Sequence, residues 1–263
     1  MKTSSLWRKV TAEFLGSALL SMIVIGSGIA AQQLSPHDVG LELLENAAAT
    51  AAGLYAIILM FGPVSGAHFN PVVSLVDWVL RGMSWLDALL YVPAQIAGCI
   101  SGAVVANAMF AHAAIEISSK TRATGPHDLA EVIATLGLIL VIFALARSDR
   151  SASTPAAVAA YIGAAYFFTS STSFPNPAIT IGRMFTSSFA GIAPASAPSF
   201  IGAQILGGAL ALVVIRTLFR SLSPLQASEV LLAHDEVPSP ATNVAVTSQV
   251  SEEVGFPHPR SEQ

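Results

Sequence analysis

Two Asn-Pro pairs stand inside sequence too apolar for a surface loop, and each opens a run too short to cross a bilayer. The first lies in Ser65-Gly66-Ala67-His68-Phe69-Asn70-Pro71-Val72 and the second in Thr172-Ser173-Phe174-Pro175-Asn176-Pro177-Ala178. Asn is a strong helix N-cap, and Pro suits the first helical position, where its missing N–H has no partner to lose. Each pair therefore predicts a helix that starts within the membrane. The two segments end near Leu80 and Ser187. Each offers about ten helical residues, or roughly 15 Å, half the hydrocarbon thickness. Irregular backbone at that depth is tolerated only where it lines a cavity or is buried in protein. Two such starts in one chain predict a pore. Two ordinary helix starts in surface loops would leave the flanking apolar sequence unexplained.

The composition agrees. Of 263 residues, 53% are hydrophobic and only 11% charged, against about 25% charged in a soluble domain. Six apolar runs can cross the roughly 30 Å core: 10–31, 42–62, 85–109, 128–146, 155–170 and 198–219, the fifth being the shortest. The expected fold is an all-α membrane protein with six transmembrane helices plus two half-helices meeting at the bilayer midplane. Residues 1–9 form a short basic N-terminal segment. No small-residue cleavage site follows the first apolar run, which reads as a retained span. The channel domain covers 10–220. From Ser221 onward, Pro238, Pro240, Pro257 and Pro259 with scattered acids predict a disordered cytoplasmic tail over 221–263. An N-terminus inside places Lys2, Arg8, Lys9, Arg81, Arg147, Arg150, Arg216 and Arg220 on the cytoplasmic side. Lys120, Arg122 and Arg183 are left outside, so both termini are expected in the cytoplasm.

The halves resemble each other. Ala12-Glu13-Phe14-Leu15-Gly16-Ser17 matches Ala130-Glu131-Val132-Ile133-Ala134-Thr135, Asn70 matches Asn176, and Ala94-Gln95-Ile96-Ala97-Gly98 matches Ala203-Gln204-Ile205-Leu206-Gly207. Three landmarks in one order at near-constant offset indicate duplication. With three spans per repeat (about 10–110 and 128–220), the second copy is inverted in the membrane. The half-helices then enter from opposite sides.

Several functions are excluded. No His/Cys/Asp cluster has metal-ligand spacing, and neither a nucleophile–base arrangement nor a phosphate-binding glycine loop is present. No enzyme, metal or cofactor is expected. There is no basic stripe for nucleic acid, and the single Cys99 excludes an intrachain disulfide. What remains is pore chemistry. Two half-helix N-termini facing each other carry partial positive charge and repel cations, protons included. Asn side-chain amides can aim donors into the lumen. Glu13 and Glu131 are intramembrane acids that need partners. The favoured role is support of the half-helix loops through backbone hydrogen bonds, the rival a proton-coupled transporter. His68 either lines the cytoplasmic approach or bonds loop backbone. Gly98 with Gly102 and Ala203 with Gly207 are small residues at the spacing of close helix packing.

Ser-Gly-Ala-His-Phe-Asn-Pro at 65–71, Asn-Pro-Ala at 176–178 and Ala-Glu-Phe-Leu-Gly at 12–16 resemble the aquaporin superfamily over about 10–220. The resemblance implies a homotetramer with one pore per subunit and passive flux of water or small uncharged solutes. It places Asn70, Pro71, Val72, Asn176, Pro177 and Ala178 at the pore midplane. Val72 replaces the usual Ala, a change expected to be tolerated. It also implies an outer selectivity filter at Thr50, Ala164 (or Gly163), Ser173 and Ile179. An arginine usually stands where this chain has Ile179, so a wide, poorly charged constriction is expected. Arg183, one turn farther, is expected to snorkel to the outer surface, the alternative being a displaced filter charge in a water-selective channel. The stretch from Thr172 to Phe185, followed by Phe189-Ala190-Gly191-Ile192-Ala193-Pro194, is similar to bacterial aquaglyceroporin-like channels of the inner membrane. Some of these are associated with arsenic resistance and conduct arsenite as the neutral trihydroxide.

Overall fold

The computed structural model describes residues 5–148 and 150–219. The predicted tail over 221–263, together with Lys2 and Arg220, lies outside the described residues. Eight α-helices follow in order: α1 Leu6–Leu34, α2 Val39–Ser65, α3 Pro71–Val79, α4 Trp85–Met109, α5 Gly125–Ala146, α6 Thr154–Phe168, α7 Pro177–Gly182 and α8 Ala197–Leu218. Five of them (α1, α2, α4, α5 and α8) are long and apolar enough to cross a membrane. The sixth crossing is α6, extended at its start by a 3₁₀ turn at Ser151–Ser153. Together these rise about 28 Å, close to the hydrocarbon thickness.

Polar residues at the ends account for helices that overrun the apolar runs. Asp38, Ser84 and Thr124 each accept a backbone N–H of the first turn, starting α2 and α5 about one turn before their apolar stretches and α4 at the first residue of its own. Gly66 at φ 86° ends α2 in the left-handed region. The second half-helix is shorter than expected. After six residues of α7 the chain tightens into a 3₁₀ turn at Arg183–Phe185. Its last carbonyls are taken by the segment between the repeats and by a side chain of α4. Ser118 N–H donates to the Met184 oxygen at 2.9 Å and the Asn107 amide to that of Phe185 at 2.8 Å.

The duplication is visible in the packing. Helix α1 packs most extensively on α4, and its counterpart α5 on α8; α3 and α7 each lie against both α4 and α8. Close approach depends on missing side chains. A Cβ on Gly98 would stand 2.3 Å from the Phe14 oxygen, one on Gly102 2.2 Å from the Ala18 oxygen, and one on Gly207 2.5 Å from the Val132 oxygen. Backbones at that range gain van der Waals contact that lipid cannot displace. Gly98→Val should therefore cost about 3 kcal/mol of stability, whereas Gly202→Ala, with open space around the added methyl, should be neutral or stabilising. Thermal unfolding of both variants in detergent checks the contrast.

Candidate pore and outer constriction

The two half-helix starts meet, and each Asn performs two tasks. Asn70 Oδ1 accepts the Val72 N–H at 3.0 Å; Asn176 Oδ1 accepts those of Ala178 and Ile179 at 3.0 and 3.3 Å. The amide nitrogens cross over. Asn70 Nδ2 donates to the Pro175 oxygen, and Asn176 Nδ2 to the Phe69 oxygen, both at 2.7 Å. Each amide carries two hydrogens, so one ties the loops together and the other remains for the cavity that both residues border. Pro71, Pro177 and Ala178 form the first turns behind them. Val72 reaches across to α8, where a Cβ on Gly208 would lie 2.5 Å from its Cγ1. The missing side chain at 208 makes room for the larger residue at 72.

The loops that deliver these Asn residues are strained. Ala67 and Phe69 have φ of 50° and 49°, Thr172 and Ser173 of 63° and 55°. Non-glycine residues pay about 1–3 kcal/mol each there. Two buried carboxylates hold them. Glu13 accepts from Ser65 Oγ at 2.6 Å, from the His68 and Phe69 N–H groups at 3.0 and 2.7 Å, and from Gln95 Nε2 at 2.7 Å. Glu131 accepts from Ser171 Oγ at 2.7 Å, from the Phe174 N–H at 2.8 Å and from Gln204 Nε2 at 2.8 Å. Each glutamine also donates onto its half-helix, to Ser74 Oγ at 3.0 Å or Thr180 Oγ1 at 2.9 Å. The two networks match except that Pro175, which has no N–H, leaves Glu131 one backbone donor fewer than Glu13.

A cavity passes both Asn side chains. The centres of water-sized molecules can reach about 70 Å³ of it, room for several waters at about 10–15 Å³ each on this measure. Val73, Leu138, Ile142 and Val158 give it apolar walls. Thr50, Ser173 and Ile179 border it, and among the described residues the Ser173 Oγ has no hydrogen-bond partner. Ala164 does not. It is exposed on the opposite face of α6, while Ile162 and Tyr166, one turn apart, face the cavity. Gly163 packs towards Ala51. On α6 it is therefore Tyr166, not Ala164, that reaches the cavity, its hydroxyl 3.1 Å from Thr50 Oγ1. The i, i+4 pair Ile162/Tyr166 was a sequence signal for that face, but spacing counted from the Asn residues passes over it.

Arg183 is a second correction. Rather than snorkelling outwards it is 2% exposed and borders the cavity. Its Nε donates to the Ala190 oxygen, and its guanidinium carbon lies 3.4 Å from the centroid of the Phe174 ring. A guanidinium therefore stands at the cavity wall, where small or apolar side chains alone were expected. His68 borders the cavity, and its ring bonds a half-helix side chain rather than loop backbone, with Nδ1 3.1 Å from Ser74 Oγ. Its Nε2 lies 3.7 Å from a carboxylate oxygen of Asp77. Asp77 went unnoticed in the sequence, although an acid inside a half-helix was the available sign.

Two outcomes follow. Gly208→Ala should destabilise the protein by about 1–3 kcal/mol, and adding Val72→Ala should recover most of that loss in a double-mutant cycle. The double variant Glu13→Gln/Glu131→Gln should lose about 2–3 kcal/mol per site through a mismatched donor, seen as a lowered unfolding temperature. Any flux that remains should be indifferent to a pH gradient. A well-folded double variant that lost only pH-driven flux would instead mark a coupled transporter.

Comparison with known proteins completes the assignment. Residues 1–175 match the family described as Major intrinsic protein. Aquaglyceroporin AqpS of Rhizobium meliloti (strain 1021) is 43% identical over 226 residues, covering 86% of this chain and 96% of that protein. The lens fiber major intrinsic protein of Gallus gallus is 29% identical over 210 residues, 78% of this chain and 73% of that protein. Among solved structures, the aquaglyceroporin from Plasmodium falciparum superposes with a TM-score of 0.66 at 20% identity, over 84% of this chain and 99% of that one, a likeness of fold. Paired Asn-capped half-helices in an inverted helical repeat, together with these similarities, show that the chain belongs to the major intrinsic protein family and is a multi-pass membrane channel for small solutes, not an enzyme.

Proposed function

We propose that the channel passes small uncharged polyols of glycerol size, with water as co-permeant, and that arsenite as its neutral trihydroxide is a candidate physiological solute. The observation that carries this reading is Ile179 at the cavity wall immediately after Asn-Pro-Ala. An aliphatic side chain there leaves width that a guanidinium would fill. The remaining surroundings suit an amphipathic solute. Phe174 and Ile179 offer an apolar side, while the Thr50 and Tyr166 hydroxyls and the unpartnered Ser173 Oγ offer hydrogen bonds. A polyol or trihydroxide carries both faces. The name of the Rhizobium relative, an aquaglyceroporin, supports the same solute class.

A water-selective channel is the second reading, favoured by the buried Arg183 at the cavity. Proton coupling is disfavoured because Glu13 and Glu131 are engaged by the loop donors they hold. We place the protein in the bacterial inner membrane as a homotetramer with cytoplasmic termini, on the distribution of basic residues and the family resemblance.

Stopped-flow light scattering of proteoliposomes separates the readings. Wild-type vesicles should shrink rapidly against sucrose and re-swell rapidly in glycerol. Ile179→Arg should slow glycerol entry about tenfold or more while retaining most water flux. Water flux with glycerol excluded in the wild type would replace the polyol reading by the water-selective one.

A further inference from the structure

Three consecutive carbonyls just after the second half-helix are each taken by a cation. Lys120 Nζ donates to the Phe189 oxygen at 3.1 Å. Arg122 donates to the same oxygen through NH2 at 2.9 Å and to that of Gly191 through Nε at 2.8 Å. Arg183 Nε takes the oxygen of Ala190 between them. Phe174 joins the two arginines, with guanidinium carbons 3.4 Å (Arg183) and 5.1 Å (Arg122) from its ring centroid. The two charges therefore lie within about 9 Å of each other, inside a Debye length. Among the described residues neither arginine nor Lys120 forms an ion pair with a carboxylate.

This arrangement fixes where Arg183 points. With Nε on Ala190 and one face on Phe174, the two NH2 groups have no protein acceptor among the described residues, and the side chain borders the cavity. Arg122 and Lys120 belong to the segment between α4 and α5, which is distant in sequence and closes over the strap that carries Ala190. Ala193 N–H donates back to the Lys120 oxygen at 2.8 Å, and the Arg122 N–H to Ser196 Oγ at 3.0 Å. The clustering is felt in solution chemistry as well. Burial first, then Arg122 and Arg183, hold the Lys120 ammonium down to about 8, with Glu42 opposing.

We propose that the outer constriction separates size selection from charge rejection: Ile179 leaves the width for a polyol, while Arg183, set by Arg122 and Lys120, supplies the fixed positive charge from the next turn. The inference rests on the channel reading above. Arg183 is then the specificity residue against cations. Arg122 is a positioning residue, acting through the strap and Phe174 without bordering the cavity. A guanidinium edge that approaches from one turn outward can donate to a passing hydroxyl oxygen without occupying the space beside Ile179.

Proteoliposomes of the full chain test this, with glycerol entry followed by light scattering and potassium entry by an entrapped potassium-sensitive dye. Arg183→Leu should raise the ratio of potassium to glycerol flux about tenfold or more. Arg183→Lys should restore most of the rejection. Arg122→Gln should raise potassium flux about threefold at unchanged water flux, a ratio that mere loss of folded protein cannot alter. Ile179→Arg should do the reverse, slowing glycerol without changing potassium rejection. Unchanged potassium exclusion in glycerol-conducting Arg183→Leu vesicles would overturn the proposal. Should that variant fail to fold, unchanged exclusion in Arg122→Gln would do so. A wild type with neither water nor glycerol flux above protein-free vesicles would instead remove the channel reading beneath it.

Discussion

A carboxylate buried among backbone N–H groups is the interaction on which the pore depends. Each half-helix reaches mid-membrane through a loop with left-handed, non-glycine residues, and no repeating helix or sheet ladder satisfies that backbone. Glu13 and Glu131 supply the missing acceptors. Hydrogen bonds to a charged acceptor are roughly twice as strong as neutral ones, which is the scale needed to offset loop strain of about 1–3 kcal/mol per residue. Gln95 and Gln204 tie each carboxylate to the half-helix it serves, so one side chain links loop, half-helix and long helix.

From those loops the midplane follows. The Asn side chains cap their own helices and clamp the opposite loop, so either half-helix positions the other. Geometry at this point cannot drift, because a displaced Asn would lose a cap and a cross-link together. Glycines at the crossings of α1 with α4 and of α5 with α8 bring the frame close enough for the loops to meet. The exchange of bulk between Val72 and Gly208 shows how a departure from the usual motif is absorbed one helix away.

The outer constriction follows a different logic. Nothing there repeats: Thr50 and Tyr166 pair across α2 and α6, while Arg183 is oriented by the segment between the repeats. Internal symmetry builds the meeting of the half-helices, and the departures from symmetry line the cavity beyond it. Two half-helix N-termini aimed at one point disfavour cations there, and the Arg183 guanidinium borders the same cavity.

Local sequence determined the features whose physics is local or paired. The Asn-Pro starts, the need of Glu13 and Glu131 for donors, the apolar spans and the small residues at helix crossings were all legible, because capping, desolvation and helical spacing act over a few residues. Tertiary structure decided the rest. Which face of α6 meets the cavity depends on its rotation against α2, and counting along the chain does not specify that rotation; hence Tyr166 rather than Ala164. The direction of Arg183 depends on the Ala190 oxygen and the Phe174 ring, which come together only when the second repeat and the inter-repeat segment pack. A long cationic side chain at a helix end has two sinks, solvent or buried carbonyls. Only the folded chain shows that the carbonyls are within reach.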